Sequence, residues 1–291
     1  MPPVSTGGDT RRSRLRHAGL MVVGMLSLLV LTGCAEANDQ WQRLGLPEPA
    51  SDRSEPMEDL WISSWIAALI IGAFVWGLIL YASFRFRRRS ADEVPPQTRY
   101  NLPIEVLYTF APLIVVAVLF FFTIQKIDEV TAVVENPDHE ITVTGQRWSW
   151  AFSYIDEEAA APRTSVYDVG IPSELPQLWL VKDESVTFTL TSPDVIHSFW
   201  VPSFYFKLDV IPGRDQSFSM TPTKLGTFAG RCAELCGWLH SRMLFQVNVV
   251  DRATFDQHIE DLVDAGQIGE PRGQSYSSTV TGLEPSEGGA E

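Results

Sequence analysis

The sequence predicts a membrane protein: a two-helix transmembrane hairpin carrying an extracytoplasmic all-β domain. Three observations carry that prediction. Residues 60–84, LWISSWIAALIIGAFVWGLILYASF, hold no charged side chain over 25 positions. Residues 106–125, VLYTFAPLIVVAVLFFFTIQ, hold none over 20. After them the texture changes to short runs of alternating β-branched and aromatic residues, punctuated by Gly, Pro, Asp and Ser. The 291 residues are 45% hydrophobic, too apolar for a disordered chain despite a formal net charge of −14.

In chain order the first element is a leader. RRSRLR (11–16) is strongly basic, and the apolar run GLMVVGMLSLLVL follows it. That run falls well short of the roughly 20 residues needed to span a bilayer. A basic region, a short apolar run and a small-residue cleavage site describe a secretory signal. The ending LTGC resembles a lipobox, the cleavage signal of bacterial lipoproteins. On that resemblance residues 1–33 are a lipoprotein signal peptide and Cys34 is lipidated. Residues 34–59 then form an extracytoplasmic N-terminal segment.

The hairpin occupies residues 60–126, with spans at about 60–84 and 103–125. Neither run has the polar face of a helix packed in a soluble core. Trp and Tyr stand towards the ends, as interfacial anchors do. Pro112 is tolerable in a bilayer where neighbouring groups satisfy the freed carbonyl. Between the runs lies RFRRRSADEVPPQTR, with Arg85, Arg87, Arg88, Arg89 and Arg99. The positive-inside tendency places this loop in the cytoplasm and both mature termini outside.

The β domain covers residues 127–268. From 127 to 291 there are 25 Asp+Glu against 10 Lys+Arg, a net of −15. Such a surplus repels nucleic acid and favours cationic partners through association rate and orientation, although it also serves solubility alone. Short strands at this spacing make a sandwich or Greek-key barrel. DRATFDQHIEDLVDAG (251–266) has apolar residues at helical spacing and ends at glycine, so it reads as a terminal helix. DEEAAAP (156–162) reads as an acidic surface insertion, and the tail 269–291, rich in Ser, Gly, Thr and Glu, as disordered.

The chemistry is concentrated in GRCAELCGWLHSRM (230–243). Two cysteines outside the cytoplasm form a disulfide by default, provided their Cα atoms come within about 7 Å. Here His240 follows Cys236 by four and Met243 follows His240 by three. Thiolate, imidazole and thioether form a soft donor set that suits copper over magnesium, calcium or manganese. A second histidine is available at His197, in the apolar loop SPDVIHSFWVPS; His17 is in the leader, His139 in polar sequence and His258 on the terminal helix. On the residues alone, staple and metal ligands both stand, and His197 fits a satisfied core histidine as well as a ligand.

With those residues in view, the chain resembles subunit II of haem-copper cytochrome c oxidase over nearly its whole length. The resemblance covers the hairpin, a cupredoxin-like Greek-key domain and the binuclear copper A loop. The family pattern C-x-E-x-C-x-x-x-H-x-x-M is matched at Cys232, Glu234, Cys236, His240 and Met243, and its upstream histidine at His197. The resemblance implies that Cys232 and Cys236 bridge two coppers and that His197 and His240 are terminal ligands. Met243 and the backbone carbonyl of Glu234 then complete the two coordination spheres. The Glu234 side chain would bind a magnesium shared with subunit I.

Three further matches follow. GQRWSW (145–150) aligns Trp148 with the tryptophan at which electrons enter, where a strand tryptophan otherwise simply packs. Glu105 matches the glutamate at the mouth of the K proton pathway; otherwise it is a helix-start carboxylate favoured by the dipole. Asp194 fits the acidic docking face, and the insertion at 156–163 lengthens a region by that face. Phe199, Trp200 and Trp238 would limit water at the metal.

The implied activity is electron transfer in a bacterial cell membrane. The subunit would accept electrons from a cytochrome c, soluble or membrane-held, and pass them to haem in subunit I. Oxygen is there reduced to water with proton pumping. Haems belong to the partner subunit only, since the chain has no C-x-x-C-H, and the subunit would not turn over alone. Competing readings are a copper A domain of the nitrous-oxide reductase type, which the hairpin argues against, and a membrane-anchored copper carrier or disulfide-stapled lipoprotein without redox turnover. A quinol oxidase subunit shares the architecture but usually lacks the copper ligands.

Overall fold

The structure is a computed structural model describing residues 41–90, 92–161, 163–170, 175–269 and 271. The predicted signal peptide, Cys34 and the tail beyond residue 271 lie outside the described residues. The chain divides into a unit ending at Leu46 and a main body from Pro47 onwards. In the first, residues 41–46 form a turn in which Leu44 N donates to Trp41 O and Leu46 N to Arg43 O, both at 3.2 Å.

The main body opens with helices α1 (Ser54–Arg85, 32 residues) and α2 (Leu102–Val130, 29 residues). At about 1.5 Å per residue both exceed the roughly 30 Å of a hydrocarbon core. Each outruns its predicted apolar span on the side of the β domain, where Glu55, Glu58, Asp128 and Glu129 supply polar surface. The start of α2 is fixed by reciprocal caps. The Asn101 side chain accepts from Ile104 N, and the Glu105 carboxylate accepts from Asn101 N at 2.8 Å. Pro112 sits inside α2 without ending it. The large apolar side chains of both helices, such as Phe74, Phe84, Phe110 and Phe120, are exposed, as lipid-facing residues are.

A short clamp ties the hairpin to the β domain. Ala50 N donates to Ser203 O and Ala50 O accepts from Thr223 N, at 2.8 and 2.9 Å. Arg53 then spans the junction: Nε donates to Ser219 O at 2.8 Å and Nη1 to Glu129 O at 2.7 Å, the latter in the last turn of α2. Charge-assisted bonds of this kind resist displacement better than neutral ones.

Among the described residues, ten strands form two five-stranded sheets. The first holds β1 (His139–Gln146), β2 (Ser149–Glu157), β3 (Thr164–Val169), β5 (Val186–Thr191) and β8 (Gln216–Met220), in the order β3-β2-β1-β5-β8. The second holds β4 (Gln177–Val181), β6 (His197–Val201), β7 (Phe206–Val210), β9 (Gly226–Cys232) and β10 (Leu244–Val250), in the order β4-β10-β9-β6-β7. β1 runs parallel to β5 and β4 to β10; the other neighbours are antiparallel. This is the expected all-β sandwich with crossed, Greek-key connections.

Alternation buries one face of β1 and β5, whereas β2 is buried on both faces over its first six residues. Ile141, Val143, Phe152, Tyr154, Phe188 and Phe218 meet Phe199, Val201, Phe245 and Val247 across the core. Each such side chain contributes about 1.5–3 kcal/mol by leaving water. Helix α3 (Arg252–Asp264) is capped by Asp251, which accepts from Thr254 N, and closes one edge with Phe255, Ile259 and Leu262.

The acidic insertion is corrected by the fold. Glu157 is the last residue of β2 and is buried, with its Oε1 2.8 Å from Nδ1 of the buried His139; Ala160 is also buried. A carboxylate leaves water only against a partner, and His139 is that partner. The segment lies at the far end of β2 from Trp148, about 27 Å along an extended strand.

Candidate metal centre

Pairing of β6 with β9 builds the site. Phe199 stands opposite Cys232, so the start of one strand and the end of the other meet. Between Cys232 and Met243 the chain leaves the sheet and returns. Cys232 N donates to Met243 O at 3.0 Å, closing the loop at its ends, and Ala233 N donates to Ser198 O at 3.0 Å. A 3-10 turn, His240–Arg242, brings His240 back over Cys236.

The sulfurs of Cys232 and Cys236 are 3.8 Å apart, and both cysteines are free and buried. Each sulfur has its own imidazole: His197 Nδ1 is 3.9 Å from Cys232 Sγ, and His240 Nδ1 is 3.6 Å from Cys236 Sγ. Each also has one weaker donor. The Glu234 carbonyl lies 3.2 Å from Cys232 Sγ, and Met243 Sδ lies 3.7 Å from Cys236 Sγ. Two sulfurs flanked by these donors form a soft group that could hold a metal ion, with His197, Cys232 and Cys236 at its centre.

The tautomer of His197 supports the same use. Asp194 Oδ1 is 2.8 Å from His197 Nε2. An ionised carboxylate only accepts, so Nε2 carries the proton and the Nδ1 lone pair faces Cys232. Burial pushes the Asp194 carboxyl up, but hydrogen bonds from His197, Arg147 N and Val195 N outweigh it and hold it below the usual range. Burial pulls His197 below its ordinary value despite Asp194, keeping the imidazole neutral, the state a ligand needs. Burial, then the neighbouring Cys232, pushes the Cys236 thiol up to about 12. Cys236 thus holds its proton until a cation displaces it, and binding there releases that proton. With both sulfurs buried and a soft donor set around them, the residues fit copper.

The other expected residues fall out unevenly. Trp148 is half-buried, its Nε1 donating to Cys236 O at 3.3 Å. Its ring lies on Gly237, where φ is +126° and an added Cβ would come within 3.1 Å of the indole. Glu234 turns its carbonyl to the sulfurs and leaves its carboxylate exposed. Glu105 is at the start of α2, outside this cluster.

Three expectations need correction. Asp194 is not on an outer docking face, since its side chain is 1% exposed and committed to His197 and Arg147. Trp238 does not shield the metal loop: it is 89% exposed, beside an exposed Leu235. Trp200 points away from the site and lies between Lys207 and Arg231, 6.0 and 5.4 Å from its ring. Only Phe199 of the three lines the buried side. Strand alternation decides this, since Phe199 faces the core and Trp200 does not. Sequence reasoning missed Arg147 and Trp150, whose signal is their placement beside Trp148 in the same aromatic stretch.

The family described as cytochrome C oxidase subunit II, periplasmic domain, matches residues 140–250, and the transmembrane domain of cytochrome C oxidase subunit II matches residues 39–125. The chain is 43% identical over 301 residues to a probable cytochrome c oxidase subunit 2 of Streptomyces coelicolor, covering 92% of this chain and 94% of that protein. It is 34% identical over 309 residues to the cytochrome c oxidase subunit 2 of Corynebacterium glutamicum, covering 86% of each. Among solved structures, the periplasmic domain of subunit II of cytochrome oxidase of Bradyrhizobium japonicum is 27% identical, with a TM-score of 0.40, covering 46% of this chain and 99% of that one.

Proposed function

The chain belongs to the cytochrome c oxidase subunit II family and is an oxidase subunit with a membrane hairpin and an extracytoplasmic domain, and from that premise we propose that it is the copper A electron-transfer subunit of a bacterial haem-copper oxidase. The observation that carries the proposal is the convergence of His197, Cys232, Cys236, His240, Met243 and the Glu234 carbonyl around two buried sulfurs. When bound there, the copper pair supplies a one-electron carrier between a cytochrome c and the haem of subunit I, where oxygen is reduced to water and protons are pumped.

The chain's own residues prepare that site. Cys232, Cys236, His197 and His240 would hold the metals. Paired strand ends hold Cys232 and His197, which would limit movement of the donors as charge changes. Phe199 and the buried Met243 keep water from the sulfurs. Trp148, bonded to Cys236 O, would be the side from which electrons enter. The exposed Glu234 carboxylate would take a magnesium shared with subunit I, and Glu105 would stand at the mouth of the K proton pathway.

The arginines of residues 85–99 orient the hairpin with that loop in the cytoplasm and both mature termini outside. Cys34 would carry the lipid. The partners are subunit I, other oxidase subunits, membrane lipid and a cytochrome c, soluble or membrane-held, and no nucleic acid. A stapled lipoprotein would need the two sulfurs in bonding contact; at 3.8 Å, each facing an imidazole, they favour ligation.

Cys236→Ser in the purified oxidase tests the proposal. Loss of bound copper and of its near-infrared absorption is the expected result. Unchanged copper content and spectrum would overturn it.

A further inference from the structure

Trp150 has no part in the roles above, yet its indole reaches the Met243 carbonyl that closes the Cys232–Met243 loop. We propose that Trp150 is the positioning residue of that loop, holding its ends in register and setting the ring of His197; this rests on the copper reading above. The indole comes from β2, in the sheet opposite the ligand-bearing strands, and is fully buried. Its Nε1 lies 3.4 Å from Met243 O, the same oxygen that accepts from Cys232 N at 3.0 Å. One carbonyl, belonging to one ligand and bonded to the backbone of a second, thus takes a third strand's indole as well. An indole N–H can only donate, and in this dry core Met243 O is the acceptor it has.

The ring holds the third contact. Its centroid is 6.2 Å from that of His197 and 6.0 Å from that of Phe199, at interplanar angles of 61° and 80°. These are edge-to-face packings, which fix ring orientation as well as distance. Gly145, opposite Trp150 in the β1–β2 register, makes the approach possible: a Cβ there would meet the indole at 3.1 Å and the His197 Cβ at 3.3 Å. Asp194 therefore fixes His197 through Nε2, and Trp150 fixes it through the ring. Releasing Trp150 would loosen the 3.9 Å and 3.7 Å spacings of His197 and Met243 to the sulfurs together.

The test is made in the intact purified oxidase. Trp150→Phe keeps an aromatic ring but removes the donor. Tyr154→Phe is the control, on the same strand, where the hydroxyl accepts from Trp179 N of the opposite sheet at 2.8 Å, away from the loop. Near-infrared absorption, the rate of copper loss to a chelator and hydrogen exchange of residues 232–243 are recorded for each.

Trp150→Phe is expected to shift the absorption band, to speed copper loss about tenfold and to raise exchange across the loop. Tyr154→Phe should change none of them. A Trp150→Phe enzyme with the wild-type band, loss rate and exchange would overturn the proposal, as would a control that reproduces its effects. Should Trp150→Phe fail to assemble, Gly145→Ala wedges the indole from His197 and must shift the band; no shift overturns the proposal. If the wild type itself holds no copper, the copper reading fails, while loop exchange still decides the positioning role.

Discussion

Oδ1 of Asp194 lies 2.8 Å from Nε2 of His197, and neither side chain reaches solvent. The carboxylate also accepts from Arg147 N at 2.8 Å and Val195 N at 2.6 Å. It therefore locks the imidazole tautomer, the loop before β6 and the residue preceding Trp148 at one point. Outer partners of this kind are worth about 10–100-fold in metal affinity. Asp194→Asn keeps the size but brings an NH2 group towards two backbone donors. Copper retention against a competing chelator should fall within that range, and unchanged retention would remove the role assigned to Asp194.

Gly230 is a second fixed point. An added Cβ would come within 2.1–2.4 Å of the Phe245 ring, which is buried and stacked on Phe199 at 5.1 Å. The ring has no free direction, because Trp150 and Phe152 also pack against it. Gly230→Ala should destabilise the β domain by about 2–3 kcal/mol, the cost of overpacking a filled core. Unfolding followed by tryptophan fluorescence in detergent measures it, and a loss below about 0.5 kcal/mol would show that the core yields there.

Much of this was legible in the residues, for reasons of period and spacing. The hairpin could be read because 25 and 20 uncharged positions have few soluble uses. The clustering of Cys232, Cys236, His240 and Met243 could be read because they lie within one short segment. What lay beyond reach were contacts between distant segments. Nothing local says that Asp194 turns inward, that Trp238 turns out, or that Glu157 meets a histidine 18 residues before it. Register and strand facing decide these, and they are set by the whole sandwich. The arginine clamp from Arg53 to Ser219 is of the same kind, spanning 166 residues.

Trp148 should separate electron arrival from site assembly. Its ring rests on Gly237 and its Nε1 donates to Cys236 O, so it adjoins a ligand residue without supplying a ligand atom. Trp148→Phe keeps the packing and deletes that bond. Copper content should remain at the wild-type level, while the rate of reduction by cytochrome c falls by about tenfold or more, roughly 1.4 kcal/mol or more in barrier. A variant that loses copper in proportion to rate would make Trp148 a structural residue only.

His258 gives the β domain a pH dependence separable from the metal site. Its ring stacks on Trp179 at 4.5 Å, and its Nε2 is buried with no hydrogen-bond partner among the described residues. Burial pulls it down to about 4, against about 6.5 in an unfolded chain. Between those values the unfolded chain binds more protons, so stability rises with pH. The contribution is complete above about pH 6.5 and is lost as pH falls towards 4, at most about 1.4 kcal/mol per pH unit and on the order of 3 kcal/mol in all. Asp138 and Asp251, held below the usual carboxylate range, lose their share only at lower pH. His197 acts in the same direction when metal-free, so the informative quantity is the difference between wild type and His258→Gln. Denaturant unfolding in detergent at pH 7, 5.5 and 4.5 should show the wild type losing stability faster than the variant. Parallel pH profiles would mean that the His258 ring reaches water in the folded protein.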